Sequence, residues 1–282
     1  KYPDLKLKLN LSVSGSAGSP LSPLPSKAAS PPSPPSLRSP SVAPASNPAP
    51  KLFPNSNSPF YGKVKISKIT PATSSRPSLI VLTTKIQGDE KINITGWKFE
   101  ARTDRYTIPK GVEQFARFDV SSMQRSDIIL QAGDKVLISS ALNPLANNVN
   151  FRPNQCFGYL SKDVRFPLPV ARSCPNEKPS LREISFLSPA CQDFILKKIG
   201  RCEIPDYSQN TKVISNFDCY VYLKNLEDRF TYEYCYAQHS GEKNFFAHEW
   251  HIYTDGEEFL RAGHDRVVLS DENGLFVHEA LY

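Results

Sequence analysis

From Tyr61 onward the chain alternates polar and apolar residues in short runs, the period-two pattern of half-buried strands. Tyr61-Gly-Lys-Val-Lys-Ile-Ser-Lys-Ile69 shows it most plainly. Ser78-Leu-Ile-Val-Leu-Thr-Thr-Lys-Ile86 is denser in aliphatic and β-branched residues, as an interior strand is, and Gln87–Glu90 supplies a turn. In the next strand Ile92, Ile94 and Gly96 share one face, and Asn93, Thr95 and Trp97 the other. The glycine before Trp97 predicts a bend that lets the indole fold over a sheet. Tyr106–Gly111 reads as a short strand ended by Pro109, at an edge or turn. Asp127–Leu130 and Lys135–Ile138 flank Gln131-Ala-Gly-Asp134, a hairpin signal. Arg266–Leu269 and Leu275–Val277 repeat it around Ser270-Asp-Glu-Asn-Gly274, where Asn-Gly supplies the positive φ of a tight turn. Short strands at this spacing predict a mainly β fold of the β-sandwich type rather than a βαβ fold.

The middle of the chain changes period. Ser188-Pro-Ala-Cys191 reads as an N-cap followed by proline at the first helical position. Cys191, Phe194, Ile195 and Ile199 then recur at helical spacing, Lys197 and Lys198 suit the C-terminus, and Gly200 is placed to close the helix. A second helix is expected over about Phe217–Leu226, with Cys219, Leu223 and Leu226 on one side. Residues 142–247 therefore read as a small helical insertion within a β domain spanning 60–282.

All six cysteines, Cys156, Cys174, Cys191, Cys202, Cys219 and Cys235, fall in that insertion. Zinc sites favour short C-x2-C pairs, and no such pair is present; an even number of widely spaced cysteines favours disulfides and an oxidising compartment. Six cysteines allow 15 pairings, among which the sequence does not choose. A small helical unit has little core of its own, so staples suit it.

Composition separates the first 59 residues from the rest. They hold 14 of the 25 prolines, including Pro31-Pro-Ser-Pro-Pro35, and only two aromatic side chains, Tyr2 and Phe53. Such a segment buries too little surface to offset its ordering entropy and is expected to be a disordered, semi-rigid stalk with a reach of roughly 180 Å. The net charge of +6 divides unevenly. Residues 1–59 carry six basic groups and one acidic one, leaving 28 basic and 27 acidic for the remainder. A folded part so near neutrality lacks the clustered charge that nucleic-acid binding needs, so a DNA-binding sandwich is disfavoured. The chain has no apolar run long enough to span a bilayer and starts at Lys1 rather than Met; that a signal peptide or membrane anchor preceded Lys1 is a hypothesis resting on the linker, which the full-length gene sequence tests.

Several pieces together, Leu79-Ile-Val-Leu82, Ile94-Thr-Gly-Trp97, Tyr106–Gly111, Leu130-Gln-Ala-Gly-Asp134 and the closing Asp265–Tyr282 hairpin, resemble the lamin tail domain family, in particular its prokaryotic extracytoplasmic members. The resemblance covers about residues 60–140 and 248–282, with the insertion outside the shared pattern. It implies a compact immunoglobulin-like sandwich without catalytic residues, acting in binding, scaffolding or surface attachment. No partner of the nuclear lamins is carried over, because roughly 100 inserted residues separate this chain from the short family form.

Candidate chemistry changes that picture little. His248-Glu-Trp-His251 falls one residue short of a metalloprotease helix, and on a strand these two histidines face apart. Gly263-His-Asp265 suggests an acid/base pair, although a turn-capping Asp265 is the plainer reading. Cys156 in Asn154-Gln-Cys-Phe-Gly-Tyr159 is expected in a disulfide rather than as a nucleophile, and no Gly-x-Ser-x-Gly elbow or phosphate loop is present. Asn10-Leu-Ser12 and Asn93-Ile-Thr95 match glycosylation sequons, which the prokaryotic resemblance disfavours. Aromatic residues crowd the end of the insertion, where Tyr220, Tyr222, Tyr232, Tyr234, Tyr236 and Trp250, with Phe245 and Phe246, either form a contact surface or pack the insertion onto the sheets. Two functions follow. The first is a non-enzymatic, extracytoplasmic binding, adhesion or scaffolding module on a proline-rich stalk, its partner a protein or cell-envelope polymer. No catalytic, cofactor or metal residue is expected for it. The second is a secreted hydrolase using His248, His251 or His264 with Asp265.

Overall fold

The computed structural model describes residues 56–101, 104–115, 123–146, 149–162, 164–260 and 265–282. The linker reading of 1–55, His264 and the first sequon lie outside the described residues. Within them the chain is mainly β. One sheet runs in the order β1 (Val64–Thr70), β2 (Leu79–Thr84), β7 (Lys135–Ser139), β8 (Glu249–Tyr253). A second runs β10 (Phe276–Leu281), β9 (Arg266–Ser270), β4 (Lys98–Ala101), β5 (Asp104–Thr107), and β3 (Ile92–Asn93) pairs with β6 (Ile129–Leu130) alone. Strand β2 is interior and β5 lies at an edge, as their residue patterns predict.

Inward-facing residues of both four-stranded sheets make one apolar cluster. Val64, Ile80, Leu82, Val136, Ile138 and Ile252 meet Phe99, Val267, Leu269 and Val277 there, with Trp97 and Trp250 also buried. The last hairpin forms as the Asn-Gly signal predicts. Gly274 takes φ +79°, and the buried Asp271 carboxylate accepts from the Asn273 and Leu275 amides.

Three local expectations change. The Gln131–Asp134 turn forms, with Gly133 at φ +82° and Asp134 accepting from the Gln131 amide, but it is not a hairpin. Strand β6 before it pairs with β3, and β7 after it pairs with β2 and β8, so the turn carries the chain from one sheet to another. Trp97 lies in the core rather than with Asn93 and Thr95, because Gly96 at φ +84° makes the expected bend and resets the alternation. Ser56–Pro59, counted above with the linker, belongs to the folded body: Asn57 bridges to Phe276 and the Ser58 amide donates to its carbonyl.

The neighbours β7 and β8 are parallel, with Val136 opposite Trp250 and Ile138 opposite Ile252. Parallel neighbours need a long crossover, and the insertion is that crossover. It carries α1 (Phe157–Leu160), α2 (Pro189–Lys198), α3 (Thr211–Ile214), α4 (Phe217–Glu227) and α5 (Tyr232–His239). Its buried side chains form a second cluster, distinct from the sheet core, built on Phe151, Phe157, Ile184, Ile195, Leu223 and Tyr232. Three disulfides staple it: Cys156–Cys235, Cys174–Cys202 and Cys191–Cys219. Helix α4 appears where expected, capped by the Asn216 side chain accepting from the Cys219 amide. Helix α2 starts with Pro189 as expected, but the Ser188 side chain makes no capping bond and Gly200 does not close it. The chain turns extended at Ile199 instead, and the Lys178 ammonium donates to the Leu196 and Ile199 carbonyls. A cation on the last carbonyls satisfies the same orphan acceptors as a glycine cap and complements the helix dipole.

Candidate functional site

The insertion leaves and rejoins the sheets at one buried carboxylate. Asp134, fully buried at the end of the β6–β7 turn, accepts from the Gln131 amide at 3.0 Å and pairs with His248 Nδ1 at 2.9 Å and Arg152 Nη2 at 3.4 Å. Arg152 lies just inside the outgoing arm and His248 at the end of the returning one. Arg152 also donates through Nε to the Ala247 carbonyl, and its guanidinium lies 5.6 Å from the Phe246 ring centroid and 5.9 Å from Trp250. The returning arm is pinned further in β8. Burial opposes ionisation of Glu249, yet bonds to His251 at 3.0 Å and Lys135 at 2.7 Å hold its carboxyl down at about 2. Close packing completes the root, since a Cβ on Gly111 would stand 2.5 Å from the Trp250 ring.

Beyond the root, the aromatic residues divide by exposure. Trp250 belongs to the sheet core and Tyr232 to the insertion core, where its hydroxyl accepts from the Phe115 amide and the Asn154 amide group. Neither belongs to a contact surface. Burial raises the Tyr232 hydroxyl to about 12, and its two hydrogen bonds oppose that rise. Tyr222, Tyr234 and Tyr236 are half-buried, Tyr236 packing edge-on to Phe245 and Tyr222 to Phe186. Of the six, Tyr220 alone is exposed.

The outer surface is made by Tyr220 together with apolar residues outside that aromatic set. On α4, Cys219, Leu223 and Leu226 face inward. Phe217, Tyr220 and Val221, one turn apart on the opposite side, are 77%, 40% and 37% exposed. Ile214 on α3 is exposed as well, and Phe186 stands 70% exposed against Tyr222. A helix apolar on both sides is ordinarily covered on both. The signal was present in the sequence as Phe217 and Val221 set opposite the buried face.

The structure does not bring His248 and His251 together. His251 is buried against Phe151 with Nε2 bonded to Glu249, while His248 is exposed and held by Asp134. They lie on opposite sides of β8, as strand alternation requires. Asp265 pairs through its backbone with Tyr282 and through its carboxylate with the Arg266 amide, a local turn role. Cys156 is disulfide-bonded and unavailable as a nucleophile. Among the described residues no three His, Cys, Asp or Glu side chains are grouped to hold a metal, and no helix is long and apolar enough to cross a membrane.

The chain matches no protein-family model, no curated protein and no solved structure.

Proposed function

We propose that this chain is a non-enzymatic, extracytoplasmic binding or scaffolding module, carried on a proline-rich stalk and making contact through the outer face of its stapled insertion. The two sheets around one core support reading the β body as an immunoglobulin-like sandwich of the lamin-tail type. The lengthened β7–β8 crossover supports reading the insertion as the part peculiar to this protein. Three disulfides suit an oxidising environment outside the cytoplasm. The observation that carries the proposal is the exposed Phe217–Tyr220–Val221 face, since large rings in the open mark contact surfaces. It is built on a cross-linked unit, which lowers the ordering entropy a partner must overcome.

The test is sedimentation of the purified full chain with cell-envelope material of its source. Replacing Phe217 and Val221 by Asp is expected to abolish co-sedimentation while leaving all three disulfides formed. Co-sedimentation undiminished in that variant refutes the proposal.

A further inference from the structure

We propose that the partner of this face is an acidic polysaccharide, its anionic groups held in a groove between α2 and Asn210–Lys212 and its sugar rings stacked on α4. The inference rests on the binding-module reading above and names the partner class. The groove is a cavity of about 450 Å³, lined by Pro189, Ala190, Asp193, Phe194, Lys198, Asn210 and Lys212. Its charge is not balanced internally. Asp193 is paired with Lys197, whereas Lys198 and Lys212 make no ion pair among the described residues. The Asn210 side chain, at the N-cap of α3, makes no capping bond. Two ammonium groups and an amide beside apolar side chains are the chemistry that receives a carboxylate on a sugar ring.

A chain of packed rings, Phe194 and Tyr207 being buried, links the groove to α4. Phe194 meets Tyr207 edge-on at 6.1 Å, and Tyr207 meets Tyr220 at 6.4 Å. Lys224 lies 5.8 Å from the first tyrosine centroid and 6.0 Å from the second, and its charge is met by Glu227 at 3.0 Å. Glu227 is thus paired locally, and of the charged residues lining the groove itself only Lys198 and Lys212 are unmatched. Beyond it Phe217 and Tyr220 present the negative π-faces that attract the C–H bonds of a pyranose ring. Nucleic acid fits less well. Its charge density calls for clustered Lys and Arg, and the chain from residue 60 onward holds 28 basic against 27 acidic residues. Two free ammonium groups suit a polymer with about one charge per sugar.

Affinity electrophoresis of the full chain tests this, with polygalacturonate, neutral dextran and double-stranded DNA as the three matrices. Polygalacturonate is expected to retard the protein and dextran to leave it unchanged. Changing Lys198 and Lys212 together to Ser is expected to weaken retardation about a hundredfold, because each of the two lost charge-assisted bonds is worth about a factor of ten. The pair Phe217→Ser and Tyr220→Ser is expected to weaken it similarly. No retardation by polygalacturonate, retardation indifferent to the lysine substitutions, or tighter binding of DNA each overturns the inference. If envelope co-sedimentation still depends on α4 while polygalacturonate fails, the polysaccharide is refuted and the binding module stands; failure of both refutes both.

Discussion

Substituting Gly158 by Ala is expected to strain a staple and, in part of the population, to leave it open. A Cβ at Gly158 would stand 2.3 Å from Cys174 Sγ, 2.6 Å from Cys202 Sγ and 2.7 Å from the Ser173 carbonyl oxygen. None of these is the far end of a flexible side chain. Two belong to a disulfide and the third to backbone, which the Gly158 amide itself holds at 3.2 Å. Relieving the overlap by shifting α1 costs about 1–3 kcal/mol, the usual range for overpacking. Relieving it by leaving the Cys174–Cys202 bond open gives up the closure of a loop with sequence separation 28, worth about 3.5 kcal/mol in the chain-entropy account. The shift is the cheaper by about 0.5–2.5 kcal/mol, so a mixed population is expected, in which a minor fraction carries two free thiols. Alkylation of the non-reduced, denatured protein followed by mass measurement reads this directly. The native chain should take up no alkyl group, and Gly158→Ala should take up two in that fraction, at Cys174 and Cys202. A variant with three intact disulfides and unchanged thermal stability would refute the packing described around α1.

Other perturbations probe the root, a helix end and two histidines. Asp134→Ala strips a buried carboxylate from Arg152 and should destabilise the fold by about 3–5 kcal/mol in urea unfolding, with Asp134→Asn milder. Lys178→Ala removes the cation on the α2 carbonyls and should cost about 1–2 kcal/mol by the same assay. His239 is bonded through Nδ1 to Glu242 at 2.6 Å and through Nε2 to Glu177 at 2.7 Å, and these carboxylates outweigh burial to raise its pKa above 6.5. Its contribution, on the order of 1 kcal/mol, is therefore complete below pH 6.5 and lost as pH rises through the raised value; His239→Gln should flatten that part of a stability–pH curve. His278 has the opposite sign, because burial and then Lys65 lower its pKa, and its Nδ1 accepts from the Ile66 amide. Stability from it is present above pH 6.5 and lost as pH falls through the lowered value, so His278→Ala should remove acid sensitivity in that range.

Local features of the fold were the legible ones. Alternation located β1, β2 and β5, Asn-Gly located the last turn, and helical spacing located α2 and α4, because each depends on neighbours along the chain. Partner choice was not legible. The residues flanking Gln131–Asp134 look like a hairpin from within, and only distant segments decide that β6 joins β3 and β7 joins β2 and β8. The same holds for Asp134, Arg152 and His248, which are remote in sequence and meet solely through the crossover. Cysteine spacing likewise left the pairing open, since three staples in one helical unit are set by how its helices pack. At the candidate site, counting tyrosines was the wrong measure. Aromatic residues near a second core are drawn into it, as Tyr232 was, whereas Phe217 is left out because the other side of α4 already carries Cys219, Leu223 and Leu226.

Hydroxyl-radical footprinting of the full chain, with and without the envelope material that co-sediments with it, addresses where contact is made. Protection is expected at Phe217, Tyr220 and Phe186 on the insertion, with Tyr61 and Leu281 on the β body unchanged. Protection confined to Tyr61 and Leu281, with the insertion still fully reactive, would contradict the account.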